Sequence, residues 1–413
     1  MIPRLFDAVN KGVPFALDHS AGWNLFSDET TLPAAVILRS VIERNSAAMA
    51  DYCQRNGVSL APHGKTTMSP ELFDLQVRHG AWGITAANVH QARVMKECGV
   101  ARVLIANEVT APGDISWLAA QAQSGFQVLC YVDSIAGVRL LNDGIVARSP
   151  GARLDVLVEL GVLGGRTGAR TVAEALQVAH SAADAPALRV VGVSGFEGII
   201  VSTDEATAEE LVDGFLARLV ELAEVIIDGG LADDTEEFIV SAGGSVFFDR
   251  VVTTLTQLVS ARQVCVVVRS GCYLSHDDGV IADLSPLGSH PRVAGEVFHA
   301  ALEVWAPVLS RPEPGRIILG AGKRDLSTDS LFPIVKKWVR RGTRTVRNLD
   351  APLRAIKVDD QHTYVNVDPL SEFAVGDFVG LGISHPCTTF DKWRVMLVVD
   401  DAYDVVDVVT TRF

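Results

Sequence analysis

Between residue 58 and about residue 273, short apolar runs rich in β-branched residues alternate with amphipathic stretches. The runs fall at 58–63, 83–87, 102–107, 126–132, 154–160, 188–195, 237–242 and 264–269. Between them lie stretches with helical spacing, among them Pro70–His79, His90–Cys98, Thr171–Ala182 and Glu205–Ile227. Eight strand-helix alternations predict a parallel (β/α)8 barrel, with an open doubly wound sheet as the alternative. Runs such as Val264-Cys265-Val266-Val267-Val268 are apolar throughout, as strands covered on both faces must be.

After about residue 290 the pattern shortens and alternates, at Val293–Trp305, Arg316–Leu319, Tyr364–Val367, Phe378–Gly382 and Val395–Val399. Turn clusters such as Pro312-Glu313-Pro314-Gly315 separate these pieces, which predicts an antiparallel β domain. A helix is expected at about Pro33–Asn56. The expected organisation is a segment 1–30 packing with the β domain, a barrel over 31–285, and the β domain over 286–413. Lys336-Lys337-Trp338-Val339-Arg340-Arg341 reads as a solvated face or a subunit contact.

At 413 residues, 48% of them hydrophobic, the chain can bury one large core and one smaller one. A net charge of -14 argues against nucleic acid or an anionic membrane as the main partner. No apolar run approaches the roughly 18 residues of a membrane span, and the N-terminus lacks the build of a signal peptide. A cytoplasmic protein is therefore expected. Cys53, Cys98, Cys130, Cys265, Cys272 and Cys387 form no CxxC pair and read as reduced, mostly buried thiols.

Candidate chemistry gathers where the strands end. Pro62-His63-Gly64-Lys65-Thr66-Thr67 carries Lys65 out of the first barrel strand, where an amine can act as a nucleophile toward an aldehyde. Gly-rich turns follow the seventh and eighth strands: Ser241-Ala242-Gly243-Gly244-Ser245 and Arg269-Ser270-Gly271-Cys272-Tyr273. Their backbone N–H groups, with the hydroxyls of Ser245 and Tyr273, suit a phosphate. Tight turns that need positive φ are the plainer account. Arg166, just past the fifth strand, suits a cofactor oxygen, a substrate carboxylate or a salt bridge. Tyr131, Asp133 and Glu197 point toward the barrel mouth, and a carboxylate there can tune a pyridine nitrogen. His385-Pro386-Cys387 offers imidazole and thiolate two residues apart, a pairing that suits zinc among divalent metals. His362 is a further candidate for the same cleft.

These motifs resemble the D-threonine aldolase and D-serine dehydratase group, fold-type III pyridoxal-phosphate enzymes related to alanine racemase. The likeness runs from Pro62-His63-Gly64-Lys65-Thr66 through Gly164-Gly165-Arg166-Thr167-Gly168 and Gly320-Ala321-Gly322-Lys323-Arg324 to His385-x-Cys387. It implies a barrel with pyridoxal 5'-phosphate on Lys65, and His63 beside that lysine as a second catalytic residue. Arg166, Glu197, Gly243, Gly244, Ser245, Gly271, Cys272 and Tyr273 would hold the cofactor. A divalent metal, zinc or manganese, would sit on His385 and Cys387, and the enzyme would be a homodimer. Within the group Cys387 points to dehydration of a small D-3-hydroxy amino acid, with aldol cleavage second and a non-catalytic cofactor carrier third. Ile199 stands where the group usually has a tyrosine.

Overall fold

The structure is a computed structural model that describes residues 10–13, 23–27, 30–200, 205–232, 237–258 and 263–413. Most of the segment 1–30 therefore lies outside the described residues. The chain forms two compact units: 49–65 with 76–271, and 1–48 with 66–75 and 272–413. These divisions fall elsewhere than the expected boundaries at 31 and 285.

One part of the difference is strand β1 (Ala34–Leu38), which the sequence pattern assigns to a helix. All five of its residues are buried. It pairs antiparallel with one strand of the C-terminal sheet, Ala34 opposite Trp305, and parallel with another, Val36 opposite Leu397. A five-residue apolar run fits a strand or a buried helical turn equally well, and only its neighbours decide. The helix itself begins one residue later, at Arg39–Arg55.

The first unit is the barrel. Its strands are β2 (Ser59–Leu60), β3 (Ile84–Ala86), β4 (Arg102–Glu108), β5 (Gln127–Val132), β6 (Leu154–Leu160), β7 (Leu188–Gly195), β8 (Glu237–Ala242) and β9 (Gln263–Val268). They pair in parallel in the order β2-β9-β8-β7-β6-β5-β4-β3. The last gap is closed by Trp82 N donating to Leu60 O (2.7 Å), Thr85 N donating to Pro62 O (2.9 Å) and a bridge between His63 and Thr85. The eight strands thus curl into the expected barrel rather than an open sheet. β7 carries one extra residue: Val156 lies opposite Val190, and Leu157 opposite Gly192.

The second unit holds β1 and strands β10 (Leu302–Glu313), β11 (Arg316–Leu319), β12 (Ile334–Val339), β13 (Val346–Val358), β14 (Thr363–Asn366), β15 (Phe378–Gly382), β16 (Val395–Val399) and β17 (Val405–Thr410). Their order is β11-β14-β13-β12-β15-β10-β1-β16-β17, and β10 also pairs with β11, so six strands close on themselves. The basic run 336–341 is largely strand β12, with Val335, Trp338 and Val339 buried. Its lysines lie among acidic neighbours: Lys337 Nζ reaches the buried Glu303 at 2.5 Å. No helix among the described residues is long and apolar enough to cross a membrane.

Candidate active site

Strand alternation sets up the barrel mouth. Every second side chain points inward, and Ala61, Leu104, Leu129, Tyr131, Leu157, Val191, Ile239 and Val267 form one buried apolar cluster. Two residues further along the strands, the same parity gives His63, Asp133, Glu159, Ser241 and Arg269; four beyond Leu104 it gives Glu108. A dry layer is thereby capped by a polar one, at the C-terminal end where barrel enzymes place their chemistry.

Arg269 is buried there, 5% exposed. Its Nη1 donates to Ser241 Oγ (2.7 Å) and Ser194 Oγ (3.2 Å), and its Nη2 to Gly195 O (2.6 Å). None of these partners is charged, and its guanidinium carbon lies 5.9 Å from the Tyr131 ring. Among the described residues no carboxylate pairs with this buried guanidinium, which raises the potential on its side of the mouth. Sequence reading passes over Arg269 as part of a turn; the signal available was its parity with Val267.

On the other side, Glu108, Asp133 and Glu159 have carboxylate oxygens within 4.8 Å of one another. Burial, and then the charge of Glu159, push the Glu108 carboxyl up to about 9. Both Glu108 oxygens and Glu159 Oε2 are buried without a hydrogen-bond partner. Asp133 Oδ2 accepts from Gly168 N at 3.1 Å.

His63 is held well below the usual imidazole range by burial, and further by the positive charges of Lys65, Arg269 and Arg166. It is therefore neutral at physiological pH, and its Nδ1 is buried with no partner. Lys65 sits on a single 3₁₀ turn, Gly64–Thr66, and is exposed. The turn lifts it off the strand, past the last interior position.

Glu197 alters the reading of the Gly-rich turn. Fully buried, it accepts from Gly243 N (3.0 Å) and Gly244 N (2.5 Å), so two expected phosphate donors already hold a carboxylate. Glu197 is correspondingly committed to that turn through both oxygens. Among the described residues the backbone N–H groups of Ser245, ahead of the helix Phe248–Leu255, and of Gly271 make no hydrogen bond and can still receive an anion. Gly271 must be glycine, because a Cβ would stand 2.6 Å from His63 O. Arg166 is exposed, lies over the Phe196 ring at 4.5 Å, and lines an open cleft of about 580 Å³ with Val162, Ile199, Phe215 and Arg218. This donor set fits a phosphorylated cofactor at Ser245 and Gly271, and fits it poorly at Gly243 and Gly244.

The second unit gathers sulfur and imidazole. β15 ends at Gly382, and the His385–Cys387 pair lies beyond it, before β16. Pro386 is helical (φ -60°, ψ -35°), and the chain turns into the short helix Cys387–Phe390. The turn, not strand alternation, brings the two donors together. Cys387 Sγ lies 3.2 Å from Thr66 Oγ1 and 3.6 Å from Cys272 Sγ. Hydrogen bonding from the Cys272 thiol, then from His385 and Thr66, holds Cys387 well below the usual thiol range against the opposing effect of burial. His385 is pushed up to about 9, first by Cys387 and then by Asp329. Its Nδ1 faces Asp329 Oδ2 at 2.8 Å, which leaves Nε2, on the side of Cys387, as the ring atom that could take a metal. Thiolate, oriented imidazole and supporting carboxylate are the donor set of a zinc-type site. Cys272 therefore faces this cluster, while Tyr273 is 2% exposed and packs against Phe298 at 5.8 Å. Neither Thr66 nor Asp329 was marked by the sequence.

Residues 301–399 match a family model described as a putative serine dehydratase domain. Among curated proteins, D-threonine aldolase of an Arthrobacter species is 28% identical over 374 residues, 89% of each chain. D-threo-3-hydroxyaspartate dehydratase of Delftia sp. (strain HT23) is 28% identical over 302 residues, 72% of this chain and 73% of that one. The crystal structure of D-threonine aldolase from Filomicrobium marinum covers 97% of this chain and 98% of its own, with TM-score 0.77 and 24% identity. An alanine racemase of Clostridium difficile 630 shares the fold at TM-score 0.61 and 12% identity, over 93% of this chain and 99% of that one.

The fold is thus of the alanine racemase type, a curled eight-stranded parallel sheet with a C-terminal antiparallel domain. The chain carries a serine-dehydratase-like domain over residues 301–399 and is similar to D-threonine aldolases and to 3-hydroxyaspartate aldolases and dehydratases.

Proposed function

We propose that this chain is a pyridoxal-phosphate- and divalent-metal-dependent lyase that dehydrates a small D-3-hydroxy amino acid, releasing a 2-oxo acid and ammonia. The observation that carries this reading is the hydrogen bond between Cys387 and Thr66, the residue next in sequence to Lys65. Thr66 thus ties a candidate metal ligand to the residue that follows a candidate reactive lysine in sequence, two of the roles such a reaction needs.

When bound, the cofactor supplies an aldehyde for Lys65 and an electron-withdrawing ring beside the substrate Cα. The metal supplies Lewis acidity toward the β-hydroxyl. Lys65, which carries no ion pair among the described residues, takes the α-proton. His63, kept neutral, offers its unpaired Nδ1 as a hydrogen-bond acceptor two residues before Lys65. Ser245 and Gly271 would hold the phosphate of the cofactor through their N–H groups, and buried Arg269 favours anions around it. Asp329, bonded to His385 Nδ1, would orient the ring so that Nε2 is the atom offered to a metal.

Aldol cleavage is the second reading, favoured by the 89% coverage of the Arthrobacter aldolase. Incubating the purified protein with D-serine, D-threonine and D-threo-3-hydroxyaspartate separates the two. Accumulation of 2-oxo acid and ammonia is the expected outcome, and glycine with an aldehyde would replace dehydration by aldol cleavage. Lys65→Ala should lose both activity and the visible absorbance that the cofactor gains on attachment to protein; turnover retained in that variant would remove Lys65 from its role.

A further inference from the structure

We propose that Cys272 is a second thiolate ligand of the metal, so that this chain holds its ion through two sulfurs as well as His385. The proposal rests on the reading of His385 and Cys387 as metal ligands.

The first argument is distance. Two thiolates bound at about 2.3 Å to one tetrahedral ion stand about 3.8 Å apart. Cys272 Sγ and Cys387 Sγ are 3.6 Å apart, so the pair already has the spacing of a two-sulfur bite. The second is anchoring. Cys272 O accepts from His276 N at 2.7 Å, and Ile383 O accepts from Asp278 N at 2.7 Å, which ties the segment after Cys272 to the segment before Cys387. Ser384 Oγ is bonded to both the N–H and the C=O of Leu331, at 3.1 and 2.6 Å. Hydrogen bonds thus fix the segments that carry the two sulfurs relative to each other. The third is support: the Thr66 hydroxyl, 3.2 Å from Cys387 Sγ, can donate to that thiolate without displacing the ion.

The imidazole is the outlying member of the set. His385, Cys387 and Cys272 do not yet have all three ligand atoms within 4.8 Å of one another. The side chains of His385 and Asp329 are 38% and 48% exposed, so the ring can rotate onto an ion held by the less exposed sulfurs. A Cys₂His set also changes which metal is preferred. Soft ligands favour zinc or cobalt over manganese or magnesium, whereas one sulfur and one nitrogen discriminate less.

The test uses the full-length chain with its cofactor, reduced, stripped by a chelator and titrated with Co²⁺. The readouts are the near-ultraviolet sulfur-to-cobalt charge-transfer band and the dissociation constant. Wild type should show a two-thiolate band, and Cys272→Ser about half its intensity with Co²⁺ and Zn²⁺ binding weakened 10- to 100-fold or more. Full band and affinity in Cys272→Ser, with both lost in Cys387→Ser, would overturn the role of Cys272 and leave the metal reading standing. No metal binding by wild type, or binding indifferent to Cys387→Ser and His385→Ala, would remove both. X-ray absorption on wild type with Zn²⁺ needs no variant: two sulfur scatterers at about 2.3 Å support the proposal and one overturns it. A Cys272–Cys387 disulfide in freshly purified active enzyme would also overturn it.

Discussion

At the scale of single residues, Glu197 and Glu108 show two ways of burying a carboxylate. Glu197 is satisfied by two backbone donors, Gly243 N and Gly244 N. Removing it leaves both unpaired, at roughly 1–3 kcal/mol for each buried donor. Glu197→Ala should therefore lower stability by a few kcal/mol in chemical denaturation. Glu197→Gln should not restore it fully, since its amide NH₂ would face a backbone donor. Glu108 is unsatisfied and held near 9. Its folded pKa exceeds its unfolded one, so the folded state binds the extra proton between about pH 4.5 and 9. That contribution to stability is complete below about pH 4.5 and is lost as pH rises through about 9. Glu108→Gln should flatten this part of the stability profile, measured as denaturation midpoint against pH. An unchanged slope would mean that the Glu108–Glu159 pair shares no proton.

At the scale of elements, close approach and buried networks do most of the fixing. Gly192 follows the extra residue in β7, and a Cβ there would lie 2.0 Å from Ile239 O of β8. Alanine usually helps a strand relative to glycine, yet Gly192→Ala should destabilise, by about 1–3 kcal/mol or more, because the clash is with backbone. In the C-terminal sheet, buried Glu303 accepts from Lys337 Nζ (2.5 Å), Tyr403 Oη (2.9 Å) and Trp305 Nε1 (2.9 Å). Glu303→Ala strands the Lys337 charge and should cost about 3–5 kcal/mol in thermal or urea unfolding. The barrel strands were legible because parallel strands covered on both faces are almost wholly apolar. β12 and β13 were not: Lys336, Lys337 and the exposed positions of Val346–Val358 look like a surface, and only cross-strand pairing makes them strands.

At the scale of the whole molecule, β1 joins parts of the chain far apart in sequence. It lies between β10 and β16, so the nine-stranded sheet is continuous only through it. A chain starting at Arg39 should leave β16 and β17 severed from the other strands, with two unpaired edges. Its expected outcome is insoluble expression or a lost cooperative transition, checked by size-exclusion chromatography and thermal melting. A soluble, cooperatively folding product would show that β16 and β17 hold to the rest without that strand.

Local pattern alone was enough to define the eight alternations, the place of Lys65 at a strand end, and the pairing of an imidazole with a sulfur at His385 and Cys387. Each of these depends on residues within one strand or one turn, where periodicity and donor chemistry act directly. Tertiary structure decided which polar groups meet: Arg269 with Ser194 and Ser241, Glu197 with Gly243 and Gly244, Cys387 with Cys272 and Thr66. These partners lie 28 to 321 residues apart. They are set by barrel register and by where distant segments pack, and no local spacing encodes that.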